Sequence, residues 1–191
     1  MRIGIIVGST RPGRRAWGVA RWVERVAGSA QPDHCFEVVD INDFALPMLD
    51  EPVPAIFGRY EHEHTQTWSA RIASYVGFVF VVPEYNHSIP AALKNAIDFL
   101  YAEWHDKAAG LVGYGLHGGV RATEHLRSIL GELEVADVRS VVALSLQDDF
   151  DTFDAEHPEL FVPAPTHKKV LGRLLEEVTS WSQALAPLRR N

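Results

Sequence analysis

The apolar positions of the chain follow two alternating patterns. Residues 3–7, 36–41, 77–82, 108–115 and 138–146 are short, nearly unbroken apolar runs. Residues 17–27, 60–75, 90–101, 120–133 and 168–185 instead space their apolar residues by three and four. Unbroken runs predict strands buried on both faces, and the second spacing predicts amphipathic helices. Five alternations predict a parallel sheet covered on both sides, a doubly wound α/β fold. No repeat, low-complexity segment or linker interrupts the pattern, so a single domain over residues 1–191 is expected. Pro47, Pro52 and Pro54 mark an irregular connection, and residues 147–166, with four aspartates and three prolines, predict a loop.

Such folds bind ligands beyond the carboxyl ends of their strands, where the strand order reverses. That directs attention to the loops after the first, third and fourth strands: residues 9–15, 84–88 and 113–119. The first reads GSTRPGRR from Gly8 and carries Ser9, Arg11, Arg14 and Arg15 just before a helix start. Helix N–H groups, a serine hydroxyl and guanidinium forks all suit a phosphate. The loop matches neither GxxxxGK[ST] nor GxGxxG, which argues against a P-loop hydrolase and a dinucleotide Rossmann site. A solvated basic turn is the alternative. The second loop, PEYNHSIP from Pro83, sets Glu84, Tyr85, Asn86 and His87 in a row. Its backbone, the Tyr85 ring and the Asn86 amide can face a flat heteroaromatic edge. The plainer reading is a polar loop in which Ser88 caps the helix beginning at Pro90.

Composition narrows the classes. A net charge of −7 argues against a nucleic-acid binder, and 47% apolar with 23% charged residues is ordinary for a folded domain. No run reaches the ~18 apolar residues of a membrane helix. Cys35 is the one cysteine, which excludes an internal disulfide and suits a reducing cytoplasm. At the start of the second strand it is expected to be buried. His62 and His64 flank Glu63 and invite a metal reading, but residues two apart on a helix do not share a face, so a solvated helix start is expected. Asp148, Asp149, Asp151 and Asp154 lack calcium-loop spacing and are expected to be solvated. No metal site is expected.

The three loops together resemble the NAD(P)H-dependent FMN reductases of flavodoxin-like fold. GSTRPGR is similar to the family's phosphate loop, PEYNHSIPAALKNAIDFL to the segment meeting the isoalloxazine ring, and GYGLHGGVRATEHLR to a glycine-rich loop beside the flavin. The resemblance implies strand order 2-1-3-4-5, with Ser9, Arg11, Arg14 and Arg15 at the FMN phosphate. Arg14 stands where many members carry a small hydroxyl residue, so an alternative role is the 2′-phosphate of NADPH. It further implies that Pro83, Glu84, Tyr85 and Asn86 line the ring, and that Gly113, Tyr114, Gly115, His117, Gly118 and Gly119 close the far side. NADPH or NADH would be the hydride donor, and no protein group acts as acid or base. A quinone, azo compound, metal oxyanion or free flavin would be the acceptor. A flavodoxin-like electron carrier, or a flavin-binding module without turnover, is the alternative. Lys94, Asn95 and Asp98 also match but read as structural. Similar proteins dimerise around Tyr101 and Trp104, so a homodimer or tetramer is expected.

Overall fold

The computed structural model describes residues 1–150 and 161–189. Five strands, β1 (Arg2–Val7), β2 (Cys35–Asp40), β3 (Gly77–Pro83), β4 (Lys107–Gly115) and β5 (Val135–Ser145), form one parallel sheet in the order β2-β1-β3-β4-β5. The order reverses between β1 and β3, the neighbours that place the first and second loops side by side. Every residue of β3 and β4 is buried, which is why both read as continuous apolar runs.

Helices α1 (Ala16–Ala30) and α5 (Pro165–Ala184) cover one face. They pack on Ile3, Ile5, Val79, Val81, Val112 and Val142. On the other face lie α2 (Glu63–Ala73), α3 (Ala91–Asp98) and α4 (Val120–Glu132). There Phe78, Phe80 and Leu111 meet Trp68, Leu93 and Leu126. The fold is flavodoxin-like.

Element ends differ from the pattern where distant side chains set them. The α2 helix starts at Glu63 rather than at residue 60. The Glu51 carboxylate accepts from the N–H groups of Glu61 and His62, and the Gln66 amide donates to the Tyr60 carbonyl. The α3 helix stops at Asp98, and α5 starts at Pro165, with proline in its first turn. Within the expected 147–166 loop, Phe150 bridges to Phe161. Asp151 and Asp154 lie outside the described residues.

Four expectations are corrected. Cys35 is exposed, because it opens the edge strand β2. Its thiol donates to Glu37, and this hydrogen bond, with some burial, raises its pKa. Trp104 is fully buried, donating its indole N–H to the Ile97 carbonyl, so it offers nothing to a second copy. Asp149 is 2% exposed and accepts from the N–H groups of Ser145 and Ala164, holding β5 to the start of α5. His62 and His64 do come together: their rings stack 5.2 Å apart and both reach Asp50. His62 is still extended, φ −94° and ψ 140°, and extended residues two apart share a side. Among the described residues, no group of three metal-ligating side chains is arranged to hold an ion.

Candidate functional site

The three loops meet at the carboxyl end of the sheet and are tied to each other by hydrogen bonds. In the first, the Gly8 N–H donates to the Val81 carbonyl of β3 at 2.9 Å. A Cβ on Gly8 would stand 2.7 Å from that oxygen, so only glycine lets the chain turn here. Ser9 follows, 1% exposed, with its Oγ 3.1 Å from the Tyr85 hydroxyl and 3.4 Å from the Arg11 N–H. This hydroxyl pair joins the first loop to the second.

The three arginines part company. Arg11 is exposed on the loop. Arg14 turns inward and pairs with the buried Asp40 at the end of β2. Arg15 occupies the N-cap position of α1 without capping it, and its guanidinium lies 5.4 Å from the Phe150 ring centre. Arg14 is therefore a tether between the phosphate loop and β2. Its Nε is buried without a partner.

In the second loop, Tyr85 and Ser88 exchange both backbone hydrogen bonds, N to O at 2.9 and 3.1 Å. The two residues between them have φ of 51° (Asn86) and 69° (His87). A two-residue hairpin of this hand needs positive φ at both central positions. Asparagine and histidine tolerate it better than most residues, and strain of this kind is characteristic of ligand-clamping loops. Ser88 does not cap α3: its Oγ pairs with His125 Nδ1 at 3.1 Å, and Pro90 is the N-cap residue.

Glu84 locks the second loop to the third. Its N–H donates to the Tyr114 carbonyl at 2.9 Å, and its carboxylate accepts from the N–H and the guanidinium of Arg121. Burial works to raise the Glu84 pKa, but these bonds, and one from the Ala122 N–H, outweigh it and hold the carboxyl below its usual range. Glu84 is thus an ionised structural clasp.

In the third loop, Gly118 and Gly119 have φ of 73° and 70°. A Cβ on Gly119 would lie 2.5 Å from the Tyr114 nitrogen, and one on Gly113 would lie 2.8 Å from the Gly118 carbonyl. The loop folds flat on the end of β4 because neither residue has a side chain. The Gly115 carbonyl accepts from Gly118 and Leu146, and His117 projects outward. Tyr114 departs from expectation. Its ring is 5% exposed and packs against Phe150 on the α1 side, with its hydroxyl toward the Ala16 backbone. Burial pushes that hydroxyl well above the ordinary tyrosine range.

Thus Ser9, Arg11, Pro83, Glu84, Tyr85, Asn86, Gly113, Gly115, His117, Gly118 and Gly119 are brought to one end of the sheet, while Arg14 and the Tyr114 ring are drawn into the protein. The sequence reading did not single out Asp40, Arg121 and His125. Arg121 carried a signal: a cation in the first turn of a helix opposes the helix dipole, so a partner should be near. Beside the first loop, a recess of about 290 Å³ is lined by Thr10, Asn42, Leu46, Ala92 and Asn95. Asn95 braces it, donating to the Pro47 carbonyl and accepting from the Leu49 N–H.

A doubly wound sheet with a basic turn, a strained polar hairpin and a diglycine loop at its switch point defines a flavodoxin-like flavin-binding protein. The chain belongs to the NADPH-dependent FMN reductase family, whose sequence pattern matches residues 1–149. It is 41% identical over 150 residues to an NAD(P)H-dependent FMN reductase of Schizosaccharomyces pombe, covering 78% of this chain and 74% of that one. It is 30% identical over 141 residues to a quinone reductase of Escherichia coli, covering 68% and 69%. A solved structure of the flavoenzyme NAD(P)H:(acceptor) oxidoreductase FerB from Paracoccus denitrificans superposes with a TM-score of 0.71 at 20% identity, over 96% of this chain and 97% of that one, and shares the fold.

The residues present fit FMN, the family's cofactor with NAD(P)H. Exposed Arg11, the Ser9 hydroxyl and a helix start that its N-cap residue Arg15 does not cap suit its phosphate. The Asn86–His87 turn and the Cβ-free Gly118–Gly119 surface suit a flat ring.

Proposed function

We propose that this protein is an FMN-dependent oxidoreductase that takes reducing equivalents from NAD(P)H and delivers them to a small acceptor. The observation that carries the reading is the physical linkage of the three loops: Ser9 to Tyr85, then the Glu84 N–H to the Tyr114 carbonyl. FMN, when bound, would supply the redox chemistry between nicotinamide and acceptor. The chain's own work is to bind and orient. Arg11 and Ser9 hold the phosphate, Pro83 to Asn86 present backbone and ring to one edge of the flavin, and Gly113 to Gly119 admit close approach on the other. The Glu84–Arg121 clasp keeps the second and third loops in register. Its carboxylate is engaged at 3.1 and 2.9 Å and moves no proton.

Quinones are the acceptor class this reading favours, supported by the similarity to the E. coli quinone reductase. Azo compounds, metal oxyanions and free flavin are the other acceptors this reading allows. None of the described helices is long and apolar enough to cross a membrane. The protein works as a homodimer, and its contact surface is the connection after β2, where Met48, Leu49, Ile56 and Phe57 are 79%, 48%, 60% and 65% exposed. Sedimentation of the protein and of a Phe57→Asp, Ile56→Asp variant checks this, with a shift to monomer expected.

The test of function is the visible spectrum of the FMN-loaded protein before and after NADPH is added without oxygen. Rapid bleaching, reversed by a quinone, is expected. A bound flavin that NADPH leaves oxidised would make the protein an electron carrier, and failure to take up FMN would overturn the reading.

A further inference from the structure

A second recess, about 900 Å³, lies at the opposite, amino end of the sheet. Its wall includes Tyr75 before β3, His105, Asp106 and Lys107 at the start of β4, Glu134 before β5, and Arg189 near the end of the described chain. Nothing in the flavin chemistry uses these residues.

Among the described residues, the nitrogen groups here lack the partners that burial normally requires. Lys107 is 5% exposed, yet its Nζ donates to one protein oxygen, the Ile72 carbonyl at 3.0 Å, and otherwise lies 5.3 Å from the Phe78 ring centre. An ammonium has three donors, and burying its charge without a counter-charge is costly. Among the described residues no carboxylate stands within ion-pair distance of it. Among the described residues the Arg189 guanidinium meets carbonyls, those of Asp106 and Ser182 at 3.2 and 3.0 Å. His105 Nε2 is buried with no hydrogen-bond partner, while Nδ1 faces Glu134 at 3.6 Å.

The acids of this wall do not fill the gap. Glu103 is consumed by the Tyr60 and Ser69 hydroxyls and the Tyr101 N–H, at 3.0, 2.5 and 3.3 Å. Glu134 is largely exposed and turned to His105. The Asp106 contact with Arg189 is through its backbone oxygen.

We propose that this recess binds a small anion, a carboxylate- or phosphate-bearing molecule, through the Lys107 ammonium with Arg189 and His105. Its oxygens would take up the unused donors and neutralise the buried charge. The site is separate from the flavin loops: β4 carries Lys107 at one end and Gly115 at the other, and eight steps of ~3.3 Å put about 26 Å between them. Burial and the nearby Arg189, partly offset by Glu103, bring the Lys107 pKa down to about 8, so at neutral pH the ammonium is charged and poised for an anion. With Tyr75, His105, Asp106, Glu134 and Arg189 as the other ionisable groups around it, an anion that binds should raise that pKa, and affinity should fall above pH 8.

The test uses the FMN-loaded protein, so that the flavin's own phosphate occupies the loops. Isotope-labelled protein is titrated with sodium phosphate and, separately, sodium succinate at constant ionic strength. Saturable NMR shifts centred on residues 105–108, with a rise in the Lys107 side-chain pKa, are expected. Lys107→Met and Arg189→Gln should each weaken binding at least about tenfold. Arg189 sits at the rim, so its substitution keeps the test decisive if the Lys107 variant repacks. Saturation by phosphate alone or by succinate alone would support the site and name its ligand class. Shifts that never saturate with either anion, or saturation that both substitutions leave unchanged, would overturn the proposal.

Discussion

The two ends of one sheet handle charge in opposite ways. At the carboxyl end, charges are matched one to one: Arg14 with Asp40, Arg121 with Glu84. Exposed there are Arg11 and a set of backbone groups fixed by left-handed turns. At the amino end the supply is lopsided. Glu37 collects Arg2, Tyr75, Cys35 and Arg71, while Lys107, across the sheet on β4, has one carbonyl among the described residues. Matched charge makes a rigid frame in which shape selects a planar ligand. Mismatched charge stores a demand that a ligand or a pH change can answer. Perturbed ionisation marks a site only where its counter-charge is missing: Glu84 is shifted and structural, Lys107 is shifted and unsatisfied.

The largest effect should come from the backbone of the carboxyl end. Gly119→Ala places a Cβ against the Tyr114 nitrogen at a φ of 70°. A loss of about 3–5 kcal/mol is expected, combining left-handed strain with a backbone clash. In a chain of this size that lowers the thermal midpoint by roughly 10 °C. Gly131→Ala is the control, since a Cβ there meets nothing within 4 Å and the position is helical. A gain of about 0.5–1 kcal/mol is expected. Equal effects at the two glycines would show that the diglycine loop is not held as described.

Next come the two arginines that the sequence set side by side. Arg14→Ala strands the buried Asp40 carboxylate and should cost about 3 kcal/mol of stability without FMN. Arg11→Ala should leave that stability within ~0.5 kcal/mol, as an exposed substitution does, yet weaken FMN binding by at least about tenfold. Denaturant midpoints and flavin titration of both variants give the answer. The reverse assignment would exchange their roles.

This pair also shows what could be read from the sequence. The strands were legible because β3, and β4 beyond Lys107, are buried on both faces and so are apolar, a property of composition alone. The loops were legible because a parallel sheet must present its ligand-facing residues after particular strands. Partners far along the chain were not. Asp40 lies 26 residues from Arg14, and Arg121 lies 37 from Glu84. Nothing local distinguishes Arg11, which faces out, from Arg14, which faces Asp40. Helix ends were blurred for the same reason: Glu51 fixes the start of α2 from ten residues away. Tyr114 reads as a site residue from its position, and is core because its ring lies on the α1 side of the sheet.

At the amino end, Lys107→Met removes the unsatisfied charge while roughly keeping its volume. The lysine pKa falls from 10.5 to about 8 on folding, a penalty of about 3 kcal/mol at one pH unit per ~1.4 kcal/mol. The sign follows from proton counts. Between pH 8 and 10.5 the unfolded chain holds the proton and the folded chain has released it, so stability rises with pH through that window. Below pH 8 the penalty is constant. The methionine variant should therefore be more stable by about 3 kcal/mol at pH 7, with the gap closing by pH 10.5. Urea midpoints at pH 7 and 10 measure it. A variant no more stable than the parent at pH 7 would mean that Lys107 is already satisfied, and would weaken the anion site with it.

Glu37 is the smallest effect and has the opposite sign. Arg2 grips its carboxylate with two bonds of 3.0 Å, and the Tyr75 hydroxyl and Cys35 thiol add two more. The Arg2 bonds are the main cause of a pKa near 2, against 4.5 unfolded, with burial opposing them. The folded chain thus holds fewer protons between pH 4.5 and 2. The stabilisation is fully present above 4.5 and is lost as pH falls through that range. Arg2 is 46% exposed and Glu37 28%, so solvent and salt screen the pair, and about 1–2 kcal/mol is expected rather than the full value of the shift. Glu37→Gln should lose that amount at pH 7 and nothing at pH 2, and added salt should shrink the difference. If high salt leaves it intact, the hydrogen bonds from Tyr75 and Cys35 hold this edge of the sheet, and the charge of Arg2 is incidental.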